Sequence, residues 1–238
     1  LEFRRVLFRS NQESLDQWLD QQNFNDKTKE KVSQGVPPTK QVAEDVVLSM
    51  DLDSGTIIWK TALKSVPTGR KSSSTPCLSN GKIFAIGSER IYCLDSQKGN
   101  LIWDQKLPTK EIASSILPYE KSVVILAGNL RAYDQKNGEL LWENNSVNGK
   151  AASPVIWKTG DREFIACNSS KNVVVINPDN GKTFWEGPGG GSWTPVCEKD
   201  IILVHGKQEE TGLIAYQFTS NKILELWRIP KLTRRSDS

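Results

Sequence analysis

The sequence predicts an all-β protein built from repeated four-stranded antiparallel units, and three observations carry that expectation. Five tryptophans, Trp59, Trp103, Trp142, Trp185 and Trp227, recur at intervals of 44, 39, 43 and 42 residues. Four of them close one repeated phrase: Asp51, Gly55, Trp59; Asp95, Gly99, Trp103; Asp134, Gly138, Trp142; and Asn177, Gly181, Trp185, each member four positions after the last. Short apolar runs separated by turn signals precede each phrase. A constant period of this size marks a repeat architecture. No 3.6-residue apolar pattern runs along the chain, which excludes helical repeats, and the period is too long for a parallel β-helix or a leucine-rich horseshoe.

The elements follow in chain order. Leu1 to Ser10 (LEFRRVLFRS) back-translates to a common sequencing-library adapter, so these residues are set aside from the fold and expected to lie unpacked. Residues 11–45 differ in composition from the rest. Ser14 and Gln17 resemble a capping box, Asn25 and Asp26 open a second charged stretch ending at Gly35, and Pro37-Pro38 breaks into an extended lead. Two short helices and a linker are expected there. From residue 46 to 238 the repeat takes over, beginning with two strands at Val46 to Asp51 and Thr56 to Leu63.

Each full unit then supplies four strands. The first runs through Ser74 to Leu78, Lys82 to Ile86, Ile91 to Leu94 and the tryptophan strand; the second through Ser114 to Pro118, Ser122 to Ala127 and Leu130 to Asp134, with Gly128-Asn129 as a hairpin turn. The third and fourth start at Ala151 and Ser192, the fourth with a longer hairpin across Gly206 to Gly212. Within the phrase, the Asp or Asn bonds backbone amides two residues on, and the glycine takes a positive φ. The tryptophan strand alternates, as in Leu101/Trp103 against Ile102/Asp104, and a charged residue follows every tryptophan. A small residue (Ser49, Cys93, Ala132, Ala215; Val175 is bulkier) sits two positions before the Asp, Asn or Gln, suggesting that the ring docks into a recess on its neighbour. Four short strands per forty residues is the blade of a β-propeller. Four complete blades with partial blades at both ends imply an open arc.

The stretches Cys93 to Trp103, Ala132 to Trp142, Val175 to Trp185 and Ser49 to Trp59 resemble the tryptophan-docking motif of the PQQ-repeat (quinoprotein-like) propeller family. The fifth copy departs: Gln217 replaces the acid, no glycine follows, and Trp227 comes two residues late, so its turn is expected to be rebuilt. Two function classes follow from the resemblance. One is a non-enzymatic scaffold that binds protein, for which outer-membrane assembly lipoproteins are the precedent, with a periplasmic or exported location. The other is part of a quinoprotein dehydrogenase oxidising an alcohol or sugar with PQQ and calcium. The vicinal cysteine pair of many alcohol-oxidising members is absent, which favours the scaffold with no cofactor.

The remaining residues offer little chemistry. Without residues 1–10 the net charge falls from +3 to +1, with 28 basic against 27 acidic residues, so nothing supports nucleic-acid binding. No apolar run is long enough to span a membrane. His205 is the one histidine and reads as a hairpin-end residue, since a metal pair would need a second. Cys77, Cys93, Cys167 and Cys197 show no CxxC spacing and read as free thiols. Gly187 to Ser192 lacks the Lys-Ser/Thr of a phosphate loop. Ser72 to Ser74, Ser114 and Ser115 fall at the innermost strand, where small residues relieve crowding. Lys71, Lys150 and Trp193 are the candidates for holding PQQ, each on a separate blade, and Trp157 falls outside the docking register.

Overall fold

The computed structural model describes residues 2–9 (as backbone), 19–20, 24–35, 43–63, 74–109 and 112–232. A ten-residue helix, α1 (Asp26–Gly35), lies between the first strand and a succession of antiparallel strands. Asn25 caps it, accepting from Thr28 N at 2.9 Å. The other expected helix falls largely outside the described residues. No helix among them is long and apolar enough to cross a membrane.

The chain divides into two compact units, Leu1–Lys110 and Glu111–Ser238. The first holds sheet I, with β1 (Glu2–Arg9), β2 (Ala43–Met50) and β3 (Ile57–Leu63), and sheet II, with β4 (Cys77–Ser79), β5 (Lys82–Ile86), β6 (Arg90–Asp95) and β7 (Leu101–Lys106). The second holds sheet III, with β8 (Leu117–Tyr119), β9 (Ser122–Asp134) and β10 (Leu140–Gly149). It continues with sheet IV, β11 (Val155–Thr159), β12 (Arg162–Asn168), β13 (Asn172–Ile176) and β14 (Thr183–Pro188). Sheet V follows with β15 (Val196–Glu198), β16 (Ile201–His205), β17 (Leu213–Thr219) and β18 (Lys222–Ile229). In sheet III, β9 doubles back at Gly128, whose φ is 77°. A 2.8 Å bond from Gln135 N to Lys121 O brings its two halves side by side, completing four strands.

Each sheet is a meander whose tryptophan strand forms the outer edge, which is the blade of a β-propeller. Faces of consecutive blades bury a shared core. Val47, Ile83, Tyr92 and Leu94 fill it between sheets I and II, Val124, Leu126, Ile165 and Val174 between III and IV, and Val173, Val175, Ile202 and Ile214 between IV and V. This explains the apolar runs of the middle strands: β5, β6 and β13 are covered on both faces and have no wet side to alternate with. The outer strands keep the alternation because they have one.

Four of the five turns into the outer strand are identical. The amide of Gly55, Gly99, Gly138 or Gly181 returns to the carbonyl of its Asp or Asn at 2.9 Å, and the glycine φ lies between 69° and 76°. The Asp or Asn Oδ1 accepts the amides that follow, as from Ser54 N at 2.9 Å, Lys98 N at 2.7 Å and Asp179 N at 2.9 Å. At Asp51 these bonds, led by the Ser54 amide and then its hydroxyl, hold the carboxyl below the usual carboxylate range. The fifth turn is rebuilt: Thr219 pairs with Lys222 around Ser220 and Asn221, both at positive φ, a two-residue hairpin needing no glycine.

Three expectations require correction. Residues 1–10 were expected to lie unpacked, yet Glu2–Arg9 pairs with β2 along its whole length, from Glu2 with Met50 to Arg9 with Ala43. The inner edge of β2 would otherwise present a row of unbonded amides and carbonyls, and an extended segment rich in Phe, Val and Leu fills it whatever its origin. The small residue before each Asp is not a recess on a neighbouring blade. Ser49, Cys93, Ala132, Val175 and Ala215 each stand directly across from their own tryptophan, beside a bulge repeated in all five sheets. The innermost strands also begin later than Ser74, Ser114, Ala151 and Ser192. Of their opening residues, Ser114 N still donates to Leu126 O at 2.9 Å, whereas Ser115 N turns to Ser153 Oγ at 3.1 Å and Ser153 N to Thr194 Oγ1 at 3.0 Å.

Burial of the tryptophans is graded. Trp103 and Trp142 are 8% exposed, Trp59 and Trp185 are half-buried, and Trp227 is 43% exposed. Replacing Trp142 with alanine is therefore expected to cost about 3–5 kcal/mol of stability. Trp227→Ala at low protein concentration is expected to stay within about 0.5 kcal/mol. Denaturation in urea followed by circular dichroism checks both, and equal losses would contradict the gradation.

Candidate functional site

The residues singled out by the repeat meet at the joints between blades. In the joint between sheets I and II, Trp59 Nε1 donates to Ser96 O at 3.1 Å, the carbonyl one residue after Asp95. Thr61, two residues on, donates its hydroxyl to Gly99 O at 2.7 Å. The joint between sheets III and IV repeats this with other side chains. Trp142 Nε1 donates to Pro178 O at 3.0 Å, one residue after Asn177, and Asn144 Nδ2 donates to Gly181 O at 2.7 Å. In both, the indole lies flat against the glycine: a Cβ built there would meet the ring Cε3 at 2.4 Å and Cδ2 at 2.6 Å. The glycine is thus required twice, for its positive φ and for the approach of the ring.

The joint between sheets IV and V is built differently, because sheet V lacks the glycine turn. Trp185 packs edge-on against Tyr216, with ring centroids 4.9 Å apart. Trp157, which the repeat pattern did not single out, is fully buried on the inner strand and donates Nε1 to Lys199 O at 2.8 Å. Around it Phe164, Phe184 and Phe218 stack at centroid distances of 4.8 to 6.4 Å. Aromatic area replaces the missing hydrogen-bonded turn.

A second residue escaped the sequence reading. Asn168 is fully buried at the end of β12 and joins sheets IV and V through all its polar atoms. Its Nδ2 donates to Trp193 O at 3.2 Å and His205 O at 3.0 Å, and its Oδ1 accepts from Gly190 N at 2.9 Å. No local pattern marks such an asparagine, since its partners are distant in sequence. The glycine-rich segment is committed to the same junction: Gly190 N serves Asn168 and Gly191 N donates to Ser169 O at 2.8 Å. Those amides are not available to cradle a phosphate. Trp193 lies edge-on against His205 at 4.5 Å, and His205 Nδ1 is buried without a hydrogen-bond partner.

Among the described residues no three His, Cys, Asp or Glu side chains gather as a metal site. Of the residues weighed for PQQ, Lys71 lies outside the described residues, Lys150 is exposed, and Trp193 is occupied by His205. A cavity of about 250 Å³ opens beside Trp142 in the joint between sheets III and IV, lined by Tyr119, Lys121, Leu141, Trp142 and Asp179. Nearby, the Lys158 ammonium and the Tyr119 hydroxyl hold the Glu163 carboxyl below its usual range.

The four cysteines are free thiols. Burial pushes each from 9.0 to about 12, with the Cys93 thiol adding to the effect at Cys77. They are neutral at physiological pH and poor nucleophiles. Because the folded pKa is raised, their contribution to stability is complete below pH 9 and is lost as pH climbs toward 12.

Two outcomes follow. Gly55→Ala, at a turn with open space around it, is expected to cost about 1–2 kcal/mol for the left-handed backbone alone. Gly181→Ala adds a ring clash of about 1–3 kcal/mol; comparable unfolding midpoints would refute the double role. The native protein at pH 8 is expected to react slowly with a thiol-specific chromogenic disulfide and to release all four equivalents on denaturation. Rapid native labelling of Cys93 or Cys167, the two fully buried thiols, would contradict the assignment.

Known proteins share this fold. The family model described as "Outer membrane protein assembly factor BamB" matches residues 43–233. Outer membrane protein assembly factor BamB of Yersinia pestis is 25% identical over 156 residues, covering 59% of this chain and 38% of that protein. The crystal structure of BamB from Moraxella catarrhalis aligns with a TM-score of 0.63 and 17% identity, over 81% of this chain and 58% of that one. A quinohemoprotein alcohol dehydrogenase from Pseudomonas putida HK5 aligns with a TM-score of 0.49 and 17% identity, over 79% of this chain and 38% of the enzyme. The chain thus spans about two fifths to three fifths of the length of the two BamB relatives. With glycine-seated tryptophan joints between its blades and the family model running across residues 43–233, the chain belongs to the PQQ-repeat propeller family of the outer membrane protein assembly factor BamB.

Proposed function

We propose that this chain is a non-enzymatic β-propeller module that binds protein during outer-membrane protein assembly, in an exported, periplasmic setting. The observation that carries the reading is a recurring exposed apolar pair at the start of the outer strands. Ile57-Ile58, Leu101-Ile102 and Leu140-Leu141 are all exposed, immediately before Trp59, Trp103 and Trp142. Leu224 and Leu226 are exposed on β18 as well. A water-soluble blade does not need two aliphatic side chains turned outward at the same place in each repeat. Bordered by the charged residues that follow each tryptophan, such apolar rows are the signature of protein-binding surfaces.

The polar side chains of the turns and joints support the same reading by what they already do. The Asp and Asn side chains of the turns bind their own backbone, the serines and Thr194 tie inner strands together, and Asn168 joins blades. Membership in a family named for outer-membrane protein assembly supplies the class of partner.

A photo-crosslinking residue placed at Leu141 or Ile102, in the chain exported to the periplasm of a Gram-negative cell, is expected to capture a protein of the outer-membrane assembly pathway. The same residue at Lys136, in an exposed turn, is the control. Replacing Ile57 and Ile58 together with serine is expected to lower capture from Ile102 by at least about tenfold, equivalent to 1.4 kcal/mol, with the unfolding midpoint unchanged. Equal capture from Lys136, or none from the apolar positions, would sink the reading.

A further inference from the structure

Asparagine followed directly by glycine occurs at Asn80-Gly81, Asn137-Gly138, Asn148-Gly149 and Asn180-Gly181. The pairing has a chemistry of its own. The backbone nitrogen of the glycine can attack the carboxamide carbon of the asparagine, because no Cβ hinders its approach. Attack requires that nitrogen to lose its proton and to move. An amide already donating to a carbonyl is held back by that bond.

The later pairs are held in this way. Gly138 N donates to Asp134 O and Gly181 N to Asn177 O, both at 2.9 Å. Their asparagines are engaged as well: Asn137 Oδ1 accepts from Glu139 N at 3.0 Å and Asn180 Oδ1 from Lys182 N at 2.9 Å. Gly149 is buried in the ladder of β10 with β9. The carbonyl of Asn148 accepts from Ser170 N at 2.7 Å, and its Nδ2 donates to Asn129 Oδ1 at 3.2 Å.

The first pair differs. Asn80 and Gly81 form the turn between β4 and β5, with φ of 49° and 71°, and both are exposed. Gly81 N donates to no acceptor among the described residues, and nothing lies within 4 Å of a Cβ built on Gly81. The strand on one side of the turn is short, pairing with β5 only from Cys77 to Ser79, so little structure opposes local opening.

We infer that Asn80 is a site of spontaneous backbone modification, converting to isoaspartate and aspartate while the other Asn-Gly pairs persist in the folded chain. Gly81 N gives up its proton to base and bonds to Asn80 Cγ. The Cγ–Nδ2 bond breaks and ammonia leaves, closing a cyclic imide. Water then adds to either imide carbonyl. Cleavage between Gly81 N and Cγ gives aspartate in the original backbone. Cleavage between Gly81 N and the Asn80 carbonyl carbon gives isoaspartate, with the chain running through Cγ. Water is consumed, ammonia is released, and nothing is oxidised or reduced.

The modification reaches a joint between blades. Gly81 O accepts from Ser96 N at 3.1 Å, and Ser96 O accepts from Trp59 Nε1 at 3.1 Å. Isoaspartate inserts a carbon into the backbone beside Gly81 and adds a carboxylate, so it displaces the turn that supports Ser96. This goes beyond the protein-binding reading and does not depend on it.

Incubation of the whole chain at pH 8, followed by peptide mapping in a mass spectrometer, tests the inference. Enzymatic methylation of the new carboxylate identifies isoaspartate. In the native chain the peptide holding Asn80 is expected to convert at least about fivefold faster than those holding Asn137, Asn148 and Asn180. That factor is equivalent to about 1 kcal/mol, the scale of one backbone hydrogen bond. In concentrated urea all of these peptides are expected to convert at comparable rates, since the amides are then equally accessible. Asn80→Asp keeps the size of the turn residue and has no amide to lose. It is expected to fold as the unmodified chain does, by circular dichroism, and to lack the early release of ammonia. Three results overturn the inference: native conversion that is equal at every pair or fastest elsewhere, the native ranking retained in urea, or early ammonia release that survives Asn80→Asp. The second would assign the difference to neighbouring sequence and not to the fold.

Discussion

The structure depends on one contact, an indole laid flat on a glycine and hydrogen-bonded to the carbonyl three residues before it. A blade of four short strands cannot bury both of its faces alone, so its stability comes from its neighbours. The indole supplies area that one side chain rarely matches, and its N–H removes the cost of burying a polar edge. The glycine turn answers both needs at once, because its left-handed backbone exposes a carbonyl and clears the space above it. Everything on the outer rim is arranged to hold that turn: the Asp or Asn that bonds the following amides, and the bulge that aims the tryptophan.

The joints are not equivalent, and the difference has a single origin. Once sheet V gave up the glycine turn for the two-residue hairpin at Ser220 and Asn221, Trp185 lost its carbonyl and its platform together. The load moved inward to Trp157 and three phenylalanines, with Asn168 tying the far side of the same pair of blades. Two designs for one task therefore coexist in adjacent blades. One is directional and small; the other is area-driven and tolerant of exact orientation, as aromatic clusters are.

Much of this was legible in the residues because the determining forces are local. The Asx side chain binds amides two and three residues away, and the glycine φ is a property of its own turn, so spacing alone located Gly99, Gly138 and Gly181. The outer strands alternate because one face is wet, and their limits were readable for the same reason. The illegible parts are those decided by distant partners. Asn168 meets Trp193 and His205, Trp157 meets Lys199, and the serines that open the inner strands bond to hydroxyls a full repeat away. Residues 2–9 show a second limit: a strand edge recruits an extended segment for its backbone groups, which carry no residue code.

The repeated bulge opposite each tryptophan has an evolutionary consequence. It lets the third and fourth strands keep one cross-strand partner, Ser49 with Trp59 through Ala215 with Trp227, while the turn beyond it changes length and type. Duplication of a gene segment encoding one blade therefore delivers a tryptophan already aimed at the next blade, whatever loop it carries. Divergence can then proceed loop by loop. A lineage can lengthen or recode one turn without shifting the frame of side chains in the rest of the blade, which is how a single ancestral unit comes to present several different rims.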